Sequence, residues 1–325
     1  MKSSLLNTPV ALIFFARPET FKMVFDMVKI VRPRQLFLIQ DGPRANHPED
    51  AAKIEACRTI AENIDWECEV IKNYAKTNMG CGLRPSSGIS WVFEHTDRVI
   101  ILEDDCIPNP SFFYFCEELL ERYKDDERIC MISGLNHFGQ YECGGADYFF
   151  AKTGAIWGWA TWKRVWDMYD YNIKAAQKDC ALELLKKDIR HKAAARRIIK
   201  NIFNTCNERA QNKRLSYWDT QWEFVKYSQS MLSIVPARNL ISNVGVGDGA
   251  THSAKSIKLL NKKIAQFFFL KTYSVDLPLK VPPSVICCHS YDKRYYSIEY
   301  PNPFVKALRK LIFYIKRVFY RQYRS

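Results

Sequence analysis

No apolar run in this 325-residue chain approaches the ~18 residues that a membrane-spanning helix needs, so no span through a bilayer is expected. Its eleven cysteines contain no C-x-x-C pair. The one cluster, Cys287-Cys288, joins chain neighbours that do not easily bridge each other, so neither a zinc site nor a disulfide framework is expected. Buried reduced thiols in a cytosolic protein account for them. There is no internal repeat, no G-x-G-x-x-G and no Walker loop, so the standard nucleotide motifs are missing. Acidic residues are the scarcer sign: 35 Asp and Glu against 48 Lys and Arg leave a net charge of +13. That balance suits nucleic acid, an acidic membrane surface or phosphorylated substrates, and the placement of the charge decides between them. Lys2 before an apolar stretch imitates a signal peptide. Asn7-Thr8-Pro9 interrupts it, however, and no small-residue cleavage site precedes Arg17-Pro18-Glu19. Val10–Ala16 reads instead as a first buried strand.

What is present is a folded chain, 47% hydrophobic and 14% aromatic, with enough residues for one large domain or two modest ones. Its most informative segment is Val99-Ile100-Ile101-Leu102-Glu103-Asp104-Asp105. The apolar run predicts a buried strand, and three carboxylates stand at its mouth. Like charges there repel and lose hydration unless a cation joins them. Hard divalent ions such as Mg²⁺ and Mn²⁺ take such oxygens and share them with a diphosphate. Asn109-Pro110 then caps a helix over 110–123, which puts the acids on a strand-to-helix turn where open α/β sheets bind ligands. A solvated acidic turn is the plainer reading of the same triplet.

The first half alternates. Strands are expected at Val10–Ala16, Gln35–Gln40, Glu67–Asn73 and 99–102, with helices over Glu19–Val31, Glu49–Asn63 and a stretch ending near His95. A loop holding Gly80, Gly82 and Gly88 precedes that last helix. The pattern implies a mostly parallel sheet covered on both faces. Further strands are expected at Ile129–Ser133 and Leu232–Val235, and a basic, solvated helical lobe over 184–214. Between 157 and 166 lie four tryptophans. Trp162 and Trp166, four apart on one helical face, read as core; Trp157 and Trp159 are candidates for a pocket wall, since aromatic faces stack sugars and bases. Asp219 is placed to open a helix through Val225, and Gly245–Thr251 is a loop suited to anions, followed by His252.

In this order the segments resemble a nucleotide-sugar-dependent glycosyltransferase of the GT-A fold, similar to the N-acetylglucosaminyltransferase I type and its bacterial relatives. The resemblance spans roughly residues 9–255. It rests on Phe15-Ala16-Arg17, Gln40-Asp41-Gly42, Asn78-Met79-Gly80-Cys81-Gly82, Glu103-Asp104-Asp105, Ile156-Trp157-Gly158-Trp159, Trp218-Asp219 and Thr251-His252. It implies a Rossmann-like α/β domain over 1–275. Asp105 would ligate Mn²⁺ or Mg²⁺ on the donor diphosphate, with Glu103 and Asp104 at the ribose and sugar. Arg17 and Asp41 would bind the nucleoside end of a UDP-sugar, His252 would sit near the phosphates, and Asp219 would be the base of an inverting displacement. The chemistry needs two separate acidic elements in any case, one for a metal that stabilises the leaving diphosphate and one to take the hydroxyl proton. A helix cap for Asp219 and an idle loop position for His252 are the plainer alternatives.

Residues 276–302 contain Pro278, Pro282 and Pro283 and read as a connector. In 303–325, Phe304, Leu308, Leu311, Ile312, Ile315, Val318 and Phe319 share one helical face, and seven Lys and Arg share the other, with no acid. A basic amphipathic helix of this kind binds an anionic membrane surface or packs on its own domain. The expected protein is therefore a peripheral enzyme of the cytoplasmic membrane face. It would transfer a hexose or N-acetylhexosamine from a UDP-sugar to a glycan or lipid-linked acceptor of a surface polysaccharide, with no nucleic-acid partner. The alternatives are a sugar-1-phosphate nucleotidyltransferase and a non-catalytic nucleic-acid-binding protein. The first calls for a glycine-rich basic loop after strand one, where this chain has Phe15-Ala16-Arg17-Pro18-Glu19. The second calls for aromatics interleaved with the basic stretches.

Overall fold

A computed structural model describes residues 5–178, 180–246 and 262–301. Strand β1 (Val10–Phe14) is buried along its whole length. Pro18 starts α1 (Pro18–Val31), where a fixed φ and a missing N–H suit the first turn. Phe21, Val24, Phe25, Val28 and Val31 give α1 one buried face. Then come β2 (Gln35–Gln40), α2 (Glu49–Ala61), β3 (Glu69–Tyr74), α3 (Gly80–Val92) and β4 (Arg98–Glu103). The glycines expected in a loop lie inside α3 instead. Next are β5 (Cys106–Pro108), α4 (Ser111–Arg122), β6 (Ile129–Ser133), β7 (Tyr148–Ala151), β8 (Trp159–Trp162) and the one-turn α5 (Lys163–Trp166). After a 3-10 turn at Lys174–Gln177 follow α6 (Ala181–Asp188), α7 (Lys192–Ala210), α8 (Asp219–Ser228), β9 (Leu232–Pro236), β10 (Ile241–Asn243), α9 (Lys262–Ala265) and α10 (His289–Glu299).

Eight strands form one sheet in the order β3-β2-β1-β4-β8-β6-β9-β7. The pairs β3–β2, β2–β1, β1–β4 and β6–β9 are parallel; β8 is antiparallel to both its neighbours and β7 to β9. The result is a mixed α/β fold with a large, mostly parallel central sheet and helices packed on it, as the sequence predicts. Strand order reverses direction at β1 and β4, with β2 on one side and β4 on the other, so a crevice opens at their carboxyl ends. The register pairs Ile13 with Glu103 and so sets Phe15–Arg17 beside the acid triplet.

Three expectations need correction. Trp162 and Trp166 share no helix: Trp162 ends β8 and Trp166 ends α5, because the gap between β4 and β6 recruits the segment as a strand. The basic stretch over 184–214 is two helices, and α7 buries Ala194, Ala195, Ile198 and Ile202 in a small second core with Phe224 and Tyr227 of α8. Residues 276–301 are anchored to the domain at separate points, while most of 276–286 is exposed. Leu279 is buried and its N–H reaches Glu118, Cys287 bridges to Phe150, and Tyr291 of α10 is fully buried. The Asp292 carboxylate accepts from Lys152 N–H, Thr153 N–H and Thr153 Oγ, pinning α10 to the end of β7. The amphipathic segment 303–325 lies outside the described residues, and no described helix is long and apolar enough to cross a membrane. None of the eleven cysteines forms a disulfide.

Candidate functional site

Arg17 leaves β1 at the N-terminus of α1 and turns back onto the acids. Its guanidinium pairs with Asp104, and with Asp105 at 2.9 Å. Burial opposes its charge, but Asp104 and Asp105 more than offset this and hold it protonated. Asp104 is buried and also accepts from the Phe15 N–H at 3.0 Å, so its oxygens are engaged within the protein rather than facing a ligand. Glu103 receives no hydrogen bond from any described residue. Burial, then Asp105 and Asp104, push its carboxyl up to about 8 from an ordinary 4.5, against the pull of Arg17. Asp219 adds to that push, which brings the first residue of α8 within electrostatic reach of the triplet. Asp219 is exposed, and its Oδ1 accepts from the Thr220 N–H at 2.9 Å. It is the first residue of the helix proper; Trp218 holds the cap position.

Two glycines set this geometry. A Cβ on Gly245 would stand 2.1 Å from Asp105 Oδ2, so only glycine lets the chain after β10 close over that carboxylate. The Val244 N–H donates to the Asp105 carbonyl in the same approach. A Cβ on Gly82 would stand 2.3 Å from the Leu215 carbonyl, so glycine lets the segment leading to Asp219 lie against α3. Arg214 reinforces that contact through the Asn78 carbonyl at 2.9 Å.

Asp41 plays a different part from the nucleoside contact expected of it. It is buried and accepts from the N–H groups of Gly42, Met79 and Gly80 and from Asn78 Nδ2, at 2.7 to 3.0 Å. Four donors saturate a carboxylate, so Asp41 clamps the turn after β2 to the start of α3. Trp159 also departs from expectation. It is fully buried among Trp166, Trp218 and Trp222 and walls no open pocket. Trp157 is half-buried with its ring 4.9 Å from that of Phe268. His252 lies outside the described residues.

The sequence reading missed Glu223, one turn after Asp219. Burial pushes its carboxyl up to about 7, with Asp219 and Glu299 adding and Lys226 opposing. The four-residue spacing of Asp219 and Glu223 was its only available signal.

The triplet tests as a partial metal site. Among the described residues, the group of three metal-ligating side chains with ligand atoms all within 4.8 Å of one another is Cys287, His289 and Asp292; the triplet does not close that far. Among the described residues Asp105 Oδ1 receives only the weak Cys106 thiol at 3.4 Å, which together with Glu103 leaves two carboxylates with lone pairs to give. That donor set fits a hard divalent ion taking one or two protein carboxylates and completing its shell with phosphate oxygens.

No protein-family model matches the chain, and no curated protein matches it. Solved structures overlay it loosely. UDP-glucose pyrophosphorylase complexed with UDP-glucose is 10% identical over 69% of this chain and 98% of its own, with a TM-score of 0.30. The inositol-1-phosphate CTP transferase from T. maritima is 9% identical over 81% of this chain and 95% of its own, with a TM-score of 0.37. Mannose-1-phosphate geranyltransferase from Thermus thermophilus is 9% identical over 72% of this chain and 75% of its own, with a TM-score of 0.33. Superposition this loose says nothing of the activity of this protein.

Proposed function

We propose that the chain is a transferase acting on nucleotide sugars, and that it moves the sugar from a UDP-sugar to a hydroxyl of a glycan or lipid-linked acceptor. One observation carries the reading: Glu103, at the carboxyl end of β4 beside Asp104 and Asp105, feels the charge of Asp219 at the start of α8, so the two acidic elements lie within electrostatic reach of each other. Asp105 and Glu103 would hold Mn²⁺ or Mg²⁺. Such an ion, when bound, offsets the charge of a leaving diphosphate as a Lewis acid. Arg17 keeps the Asp105 carboxylate oriented and balances part of the acid charge. Asp219, exposed and fixed by its helix, would take the proton of the attacking hydroxyl at a carboxylate oxygen, giving inversion at the sugar carbon. Trp157 and the His252 segment remain candidates for the donor side. Attachment to an anionic membrane through 303–325 belongs to the same proposal.

A second reading, nucleotidyl transfer to a sugar 1-phosphate, draws on the same chemistry of carboxylates at a strand end holding a divalent ion. The products separate the two. Incubation with Mn²⁺ and a panel of nucleotide sugars should release nucleoside diphosphate, and Asp219→Asn should slow transfer by ~10²-fold with donor binding little changed. Pyrophosphate-dependent formation of nucleoside triphosphate would establish the second reading. Full rate in Asp219→Asn would remove the base from the first.

A further inference from the structure

A second cavity, of about 360 Å³, lies between the end of β7, the turn joining α6 to α7, α8 and α10. Lys152, Arg190 and Lys293 all line it, and none of the three forms an ion pair with a described residue. Three cations share this space with two carboxylates, Asp188 and Asp292, which leaves one positive charge in excess for an anion to meet. Of the two acids on the cavity, Asp292 is already spent on Lys152 N–H, Thr153 and the Cys287 thiol. Asp188 is exposed. The first turn of α10 forms part of the wall, and an eleven-residue helix adds partial positive charge there.

The neutral donors agree. His191 Nδ1 accepts from the Ala194 N–H at 3.2 Å, so the neutral ring keeps its proton on Nε2 as a donor. Burial and then Lys293 hold that imidazole below its ordinary range. Tyr227 and Tyr296, joined hydroxyl to hydroxyl and largely buried, add aromatic edges to the lining. His289 and Asp292 of the lining lie close to Cys287, but a cation fits this group poorly. The Cys287 thiol is pushed up to about 12 by burial and Asp292, and lysines flank the group. The volume suits a monosaccharide carrying one phosphate and is at the low end for ligand pockets. Asp219, Glu223 and Tyr227 share one face of α8, so the cavity begins about 12 Å along the helix from Asp219.

We propose that this cavity is a binding site for a phosphorylated sugar, separate from the acid triplet. Lys152, Arg190 and Lys293 would hold the phosphate, and Tyr227 and Tyr296 the ring. The test is calorimetry on the full-length protein with glucose 6-phosphate. Wild type should bind, more weakly as salt rises. Arg190→Gln/Lys293→Gln, which alters two exposed side chains, should lose about ten-fold in affinity for each cation removed. Asp105→Asn should bind as wild type does. Glucose 6-(methyl phosphate) separates two sources of the same chemistry: equal binding identifies a phosphodiester within a linked acceptor, and a preference for the monoester identifies a free sugar phosphate. Failure of wild type to bind, equal binding of unphosphorylated glucose, unchanged affinity in the double variant, or loss of binding in Asp105→Asn would each overturn the proposal.

Discussion

Replacing Glu103 by glutamine should make the ligand-free protein more stable in alkali while leaving it unchanged in acid. Burial and two neighbouring aspartates keep the Glu103 proton in the folded state up to about pH 8, whereas an ordinary glutamate releases it near 4.5. Between those values the folded protein binds more protons than the unfolded chain, so its stability falls as pH rises through the window. The ceiling on that loss is about 5 kcal/mol, at about 1.4 kcal/mol per pH unit. Glu103 is partly open to water, and screening reduces the figure to ~1–2 kcal/mol. For a chain of this size that is roughly 2 °C in Tm. Thermal unfolding of wild type and Glu103→Gln from about pH 3.5 to pH 9 should give curves that coincide below the ordinary value of 4.5 and separate by that amount above pH 8. Glu223 titrates in the same window, near 7, but contributes equally to both proteins and cancels in the difference. Binding of Mn²⁺ with UDP near pH 7 should also release a proton from wild type, visible in buffers of different ionisation enthalpy. Parallel stability curves, with no proton released, would refute the account of the triplet as a charge cluster awaiting a cation.

Gly245→Ala drives a methyl group into Asp105 Oδ2, so Mn²⁺-dependent UDP binding should weaken by about ten-fold or more while the unfolding temperature changes little. Unchanged binding in calorimetry would mean that the chain after β10 does not fix that carboxylate. The tryptophans offer a contrast: the Trp162 indole N–H donates to the Leu120 carbonyl at 3.0 Å, whereas that of Trp222 is buried with no partner. Trp162→Phe should therefore destabilise by about 1 kcal/mol more than Trp222→Phe in denaturant unfolding, and the reverse order would contradict the hydrogen-bond assignment.

Much of the first half of the fold was legible because β1, β2 and β4 are plain apolar runs, whereas β3 is half polar and the glycine-rich start of α3 reads as a loop. Gln35–Gln40 and Ile129–Ser133 match their predicted bounds. Strand β8 was not legible: Trp-Ala-Thr-Trp has no apolar run, and only the gap between β4 and β6 makes it a strand. The acid triplet and Asp219 stood out locally. That Asp41 spends its oxygens on four donors could not be read, because those donors come from Gly42 and the loop at 78–80. The role of Gly82 was hidden for the same reason, its neighbour being Leu215. The cationic cavity gathers residues 152, 190 and 293, a separation that no spacing rule links.

The position of β8 also bears on how the chain reaches its native state. It sits between β4 and β6 yet is synthesised after both, so the β3-β2-β1-β4 block has no neighbour at β4 until Trp159–Trp162 is available. Until then Val99–Leu102 is an apolar strand with one open edge, a template for pairing with another chain. Closure across such long sequence separations is slow. A chain that stops short of residue 159 therefore leaves that edge uncovered, and the four residues of β8 are what close it.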